Sequence, residues 1–166
     1  MKKTDTSSRS AGFSLLEVVL VIAILGLLAL IAIPHFSSYE DDKKITAAAV
    51  ELTDALRFAR STAMATGAKH RVKINPTDET FSVLLTQSQA VVVHPVDKKD
   101  YTVDLTNAPY TSGVDLQSVN GNATGVVVVD FSPDGHASAP MEILFSYAGL
   151  TKTVSLNAVT GRVTMP

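Results

Sequence analysis

Residues 12–34 read Gly12-Phe13-Ser14-Leu15-Leu16-Glu17 and continue VVLVIAILGLLALIAI to Pro34. From Phe13 to Ile33 there are 21 consecutive residues, and Glu17 is the only charge among them. A helix rising about 1.5 Å per residue over that length reaches the roughly 30 Å thickness of a hydrocarbon core. The flank before it, residues 1–12, holds Lys2, Lys3 and Arg9 against Asp5. A short basic flank stays in the cytoplasm, so the remainder of the chain is expected across the membrane.

Three readings compete for this segment. A secretory signal peptide has an apolar core of roughly 7–15 residues and a small-x-small exit site. Here the run is longer, and Ala29 to Pro34 offers no Ala-x-Ala. A plain signal anchor fits the length but has no use for Glu17. A carboxylate in a spanning helix costs about 2–3 kcal/mol and calls for a partner. A Glu snorkelling toward the cytoplasmic face is the bland alternative.

The stretch 12–17 resembles the cleavage signature of class III, type IV prepilin-like leaders. That resemblance implies a membrane peptidase that cuts between Gly12 and Phe13 and N-methylates Phe13. Glu17 then stands fifth in the mature chain, where the family places its glutamate, and Pro34 falls at mature position 22, a helix-bending site in pilins. Cleavage frees a cationic amine at Phe13. In a staggered bundle, Glu17 of one subunit can neutralise the amine of its neighbour, and an unpaired charge there is costly enough to fix one axial register.

Beyond Pro34, which removes a backbone donor and is expected to kink the helix, a helical pattern resumes. Ile45, Ala49, Leu52, Leu56, Ala59 and Ala63 form one apolar stripe. Glu40, Lys43, Lys44, Glu51, Asp54, Arg57 and Arg60 are expected on the opposite face. Gly67 is the expected C-cap. The abundant alanines favour packing on the protein's own sheet over an intermolecular coiled coil.

After Gly67 the pattern changes to short β-rich runs at 71–74, 81–86, 91–94, 101–105, 114–119, 126–131, 143–147, 153–156 and 162–164. Turn signals separate them, among them Asn75-Pro76, Asn107-Ala108-Pro109, Asn120-Gly121-Asn122 and Pro133-Asp134-Gly135. With no helical period between the runs, the expected class is α+β: a long N-terminal helix on an antiparallel sheet domain. The expected organisation is a leader at 1–12, a membrane and filament-core helix at 13–34, an amphipathic half at 35–67 and a periplasmic β-rich domain at 68–166. Residues 101–125, rich in Asn, Thr, Ser and Gly, read as a surface loop that could meet a neighbour.

Two further stretches narrow the family. Leu56-Arg57-Phe58-Ala59-Arg60-Ser61-Thr62-Ala63-Met64-Ala65-Thr66-Gly67 is similar to the helix motif of GspH/FimT proteins, minor pseudopilins of type II secretion and related minor type IV pilins. Asp130-Phe131-Ser132-Pro133-Asp134-Gly135 and the near-terminal Thr160-Gly161-Arg162-Val163 resemble that family's C-terminal half. The resemblance implies a pilin-like fold and a structural subunit at or near a filament tip. Its partners would be other pseudopilins or pilins, a prepilin peptidase/methyltransferase, an inner-membrane assembly platform and the lipid bilayer. The expected location is the bacterial inner membrane, single-pass, with the C-terminal domain in the periplasm. A pseudopilin of a type II secretion system is the first reading; a minor type IV pilin in pilus assembly, adhesion or DNA uptake is the second.

Other chemistry finds little support. There is no cysteine, so disulfides, thiolate metal sites and cysteine nucleophiles are excluded. The histidines at 35, 70, 94 and 136 have no metal-ligand spacing, and neither a metal nor a cofactor is expected. Asp130 and Asp134 lack the alternating ligands of a calcium loop, and Ser-Pro-Asp-Gly is a hairpin turn in its own right. No GxSxG, Walker or dinucleotide pattern occurs, so a membrane-tethered enzyme is a weak third reading and no catalytic residue is assigned. The whole chain carries −2 and the part after residue 12 is more acidic still, so nucleic acid is not an expected partner. Some DNA-uptake pilins of the family carry Gly-Arg-x-Arg near their end. Gly161-Arg162-Val163-Thr164 lacks the second arginine, and Arg162 reads as a solvent-facing residue. The sequon Asn122-Ala123-Thr124 carries little weight in a bacterial-type pilin.

Overall fold

The computed structural model describes residues 13–165, with the side chains of 30–38 outside the described ones. One helix, α1, runs Leu15–Thr66. Eight strands follow: β1 His70–Asn75, β2 Thr80–Leu85, β3 Thr102–Asp104, β4 Asp115–Val119, β5 Val127–Phe131, β6 Met141–Tyr147, β7 Leu150–Leu156 and β8 Val163–Thr164. They form two four-stranded sheets, ordered β3-β2-β1-β5 and β4-β6-β7-β8. Every pairing is antiparallel. The class is α+β. The chain divides into two units at the Tyr39–Glu40 junction.

In the unit that starts at Glu40, the helix stripe is buried as its spacing requires: Ile45, Ala49, Leu52, Leu56, Ala59 and Ala63 are fully covered, with Ala48 and Ala55 beside them. The small alanines let sheet side chains approach the helix closely. Val72, Ile74, Phe81, Val83, Val129 and Phe131 reach the core from the first sheet, and Leu116, Ile143, Phe145 and Val154 from the second. Strand alternation does the sorting. In β1, Val72 and Ile74 are buried while Arg71 and Lys73 lie on the outer side. Gly67 N–H donates to the Ala63 carbonyl at 3.0 Å and closes the last turn.

Three expectations change. The run 91–94 is not a strand but two isolated bridges, Leu84 to Val91 and Val93 to Asp100; its valines serve a loop folded back on β2. Residues 101–125 are not a free surface loop, because Tyr101, Leu105, Thr111, Val114, Leu116 and Val119 are buried. On the polar helix face, Lys44 and Arg60 bond to the sheet side. Lys44 Nζ donates to the Tyr147 hydroxyl at 3.0 Å, and Arg60 Nε to the Gly135 carbonyl at 3.1 Å. Asp54 and Arg57 behave as expected, a solvent-exposed pair at 3.7 Å.

Candidate assembly site

The unit that ends at Tyr39 carries the residues singled out for assembly. Gly12 lies outside the described residues. Phe13 is 81% exposed, and α1 begins two residues later. Ser14 caps the helix: the Glu17 N–H donates to the Ser14 carbonyl at 3.0 Å and to Ser14 Oγ at 3.2 Å. Ser14 was missed above although Ser-x-x-Glu is a capping-box spacing. Glu17 sits in the first turn, where its negative charge complements the exposed N–H groups of the helix end. The bend expected at Pro34 lies outside the described side chains.

Every described residue from Phe13 to Ala29 is exposed. Leu15, Leu16, Leu20, Ile22, Leu25, Leu27 and Leu28 surround the helix, so the apolar surface is not a stripe but the whole circumference. A helix that is hydrophobic all round is stable only when lipid or protein covers it. Among the described residues, no helix is long and apolar enough to cross a membrane. The segment read from the sequence runs on to Pro34 and so lies partly outside them.

The domain's polar clusters are structural in form. Arg71 and Asp130 pair side by side on β1 and β5. Lys152 Nζ meets Asp42 at 3.3 Å, holding the β6–β7 hairpin against the helix. His70 is buried with Nδ1 2.9 Å from the Ala68 carbonyl, while His94 pairs with Asp97 and His136 with Asp134. Among the described residues no three His, Cys, Asp or Glu side chains stand together as a metal site. The 132–136 segment is the expected turn, closed by Gly135 N–H to the Ser132 carbonyl. Arg162 is exposed beside β8, as read from the sequence.

Comparison with known proteins follows the same division. The model of the Type II transport protein GspH family matches residues 48–161. The chain belongs to the GspH family. The prokaryotic N-terminal methylation motif matches residues 7–33 and so spans Gly12, Phe13 and Glu17. A fimbrial protein of Pseudomonas aeruginosa is 33% identical over 100 residues, a region that covers 57% of this chain and 64% of that protein's length. Among solved structures, the minor pseudopilin EpsH from the Type 2 Secretion System of Vibrio cholerae aligns with a TM-score of 0.56 at 12% identity, covering 74% of this chain and 96% of EpsH. The type IV minor pilin FimU of Pseudomonas aeruginosa aligns at 0.55 and 15% identity, covering 77% and 92%. These likenesses give a pilin-like fold: an N-terminal helix followed by antiparallel sheets.

Proposed function

We propose that this GspH-family chain is a minor pseudopilin of a type II secretion system, at or near the tip of a periplasmic pseudopilus that supports protein export across the outer membrane. The observation that carries the reading is the contrast within α1. Its 45–63 stripe is already buried in the domain, whereas the described residues 13–29 are exposed and apolar on every side. That second surface suits lipid first and neighbouring helices afterwards.

In this reading residues 1–12 are a leader, removed between Gly12 and Phe13 by a prepilin peptidase that also methylates Phe13. Residues 13–34 cross the inner membrane, with a bend at Pro34, and 35–67 join the periplasmic domain at 68–166. Glu17 pairs with the freed amine of a neighbouring subunit and sets the axial step as an inner-membrane platform inserts the chain. The domain works as packing surface, without catalysis.

The 33% identity to a fimbrial protein and the FimU fold favour a second reading, a minor pilin of a type IV pilus. Deleting the chain in its own bacterium separates the two. Loss of exported enzymes with pili intact supports the pseudopilin; loss of surface pili with export intact overturns it in favour of the pilin.

A further inference from the structure

The three stretches that resemble GspH/FimT proteins lie far apart in sequence but meet at one point. Arg60, near the end of α1, donates from Nε to the Gly135 carbonyl at 3.1 Å, in the turn after β5. Gly161 packs against the same carbonyl. A Cβ on Gly161 would collide with the Gly135 oxygen and lie 2.7 Å from Arg60 Nε. A Cβ on Gly135 would lie 2.9 Å from Met64 Sδ. Both glycines also have positive φ, 84° and 59°, where side chains are strained. Ala137 N–H donates to the Ala158 carbonyl at 2.9 Å, so the turn is held on both sides, by the helix and by the loop before β8.

What this junction holds is small. The last strand, β8, pairs with β7 only at Ser155–Thr164 and Leu156–Val163. Asn157 N–H to the Arg162 carbonyl adds one further bond. Val163 and Leu156 are buried beneath it, 5% and 3% exposed. Two paired residues form less than a normal strand and give little independent stability. On its other side β7 is paired along its full length with β6. Among the described residues its outer edge has no strand partner at 150–154, so β8 is the only strand covering that edge.

We infer that Arg60 is a latch: by gripping the Gly135 carbonyl that Gly161 packs against, it holds the terminal strap, residues 157–165, closed over the edge of β7. Closed, the strap covers Ser155 and Leu156 and seals the core at Val163. Open, it bares β7 from end to end, and a bare strand edge is a template for pairing with another chain. The latch lies within the domain and is independent of the proposed role in secretion.

Hydrogen–deuterium exchange on the full-length protein in detergent micelles tests this. Arg60→Ala removes one charge-assisted donor and should speed exchange at the amides of Ser155, Asn157 and Thr164 by about tenfold or more. The amides of β1 and β2 should keep their rates. Gly161→Ala should give the same local pattern. Unchanged strap amides in Arg60→Ala, or an equal rise across all strands, overturns the latch. Should the variants fail to fold, the wild-type protein in rising urea gives the answer. Strap amides opening in a step below global unfolding support the inference, and opening only together with β1 and β2 contradicts it.

Discussion

Arg71 and Asp130 stand opposite each other across the β1–β5 ladder and close a two-pronged ion pair, Nε to Oδ1 at 2.6 Å and Nη2 to Oδ2 at 2.8 Å. Asp130 opens the Asp130–Gly135 stretch, so the turn at 132–136 follows directly on a fixed carboxylate. The Arg71 hydrogen bonds hold the Asp130 carboxyl below the usual carboxylate range, against the opposing effect of burial. About a quarter of each side chain is exposed, which moderates the pair's strength. Asp130→Asn should therefore cost about 1–2 kcal/mol at neutral pH. Because the folded-state pKa is depressed, this contribution is present above the unfolded value, about 3.9, and is lost as pH falls through the lower folded value. Urea titrations of both proteins should differ at pH 7 and converge under strong acid.

Tyr101 gives the opposite dependence. Burial, followed by the charges of Glu51, Asp54 and Asp97, pushes its phenol up to about 12. Its ring packs on Phe58 and His94, with centroids 5.2 and 4.4 Å away. The unfolded chain loses that proton at about 10, so stability falls as pH rises from about 10 toward the folded value. Tyr101→Phe should flatten the alkaline limb of the stability profile, as thermal melts between pH 9 and 11.5, about the useful range, would record.

The two faces of the helix should respond differently to truncation. Leu52 is fully buried, and Leu52→Ala should cost about 2–5 kcal/mol by leaving a cavity. Val50, 40% exposed on the same turn, should tolerate Val50→Ala within about 0.5 kcal/mol. Denaturant midpoints measured side by side check both.

The carboxylate at 17 should matter for assembly and not for folding. Glu17→Ala leaves the Ser14 cap and the apolar surface in place, so the variant should insert and be cleaved normally. Its incorporation into filaments, read by cross-linking to neighbouring subunits, should fall by about tenfold or more, because the partner amine is left unpaired in an apolar bundle. Normal incorporation contradicts the register role.

Much of this was legible in the sequence because it is local. The apolar block from Phe13 and the stripe from Ile45 to Ala63 follow from spacing alone, and most strands fall within a residue or two of their β-rich runs. What failed depends on distance. Val91-Val92-Val93 has strand composition, but its backbone makes bridges to β2 and to Asp100 instead of a ladder. The Asn, Thr, Ser and Gly of 101–125 give that segment loop composition, although its β-rich runs at 101–105 and 114–119 carry the buried Tyr101, Val114, Leu116 and Val119. Arg60 flanks the apolar stripe of the helix, and nothing in its spacing reveals that Gly135 and Gly161 arrive there from the other end of the chain.

The most direct test of the central claim is the intact mass and N-terminal sequence of the protein recovered from membranes, with and without prepilin peptidase. The filament reading predicts a peptidase-dependent mature chain that begins with N-methylated Phe13. An N-terminus left uncut in the presence of the peptidase, or a cut near Pro34, contradicts it.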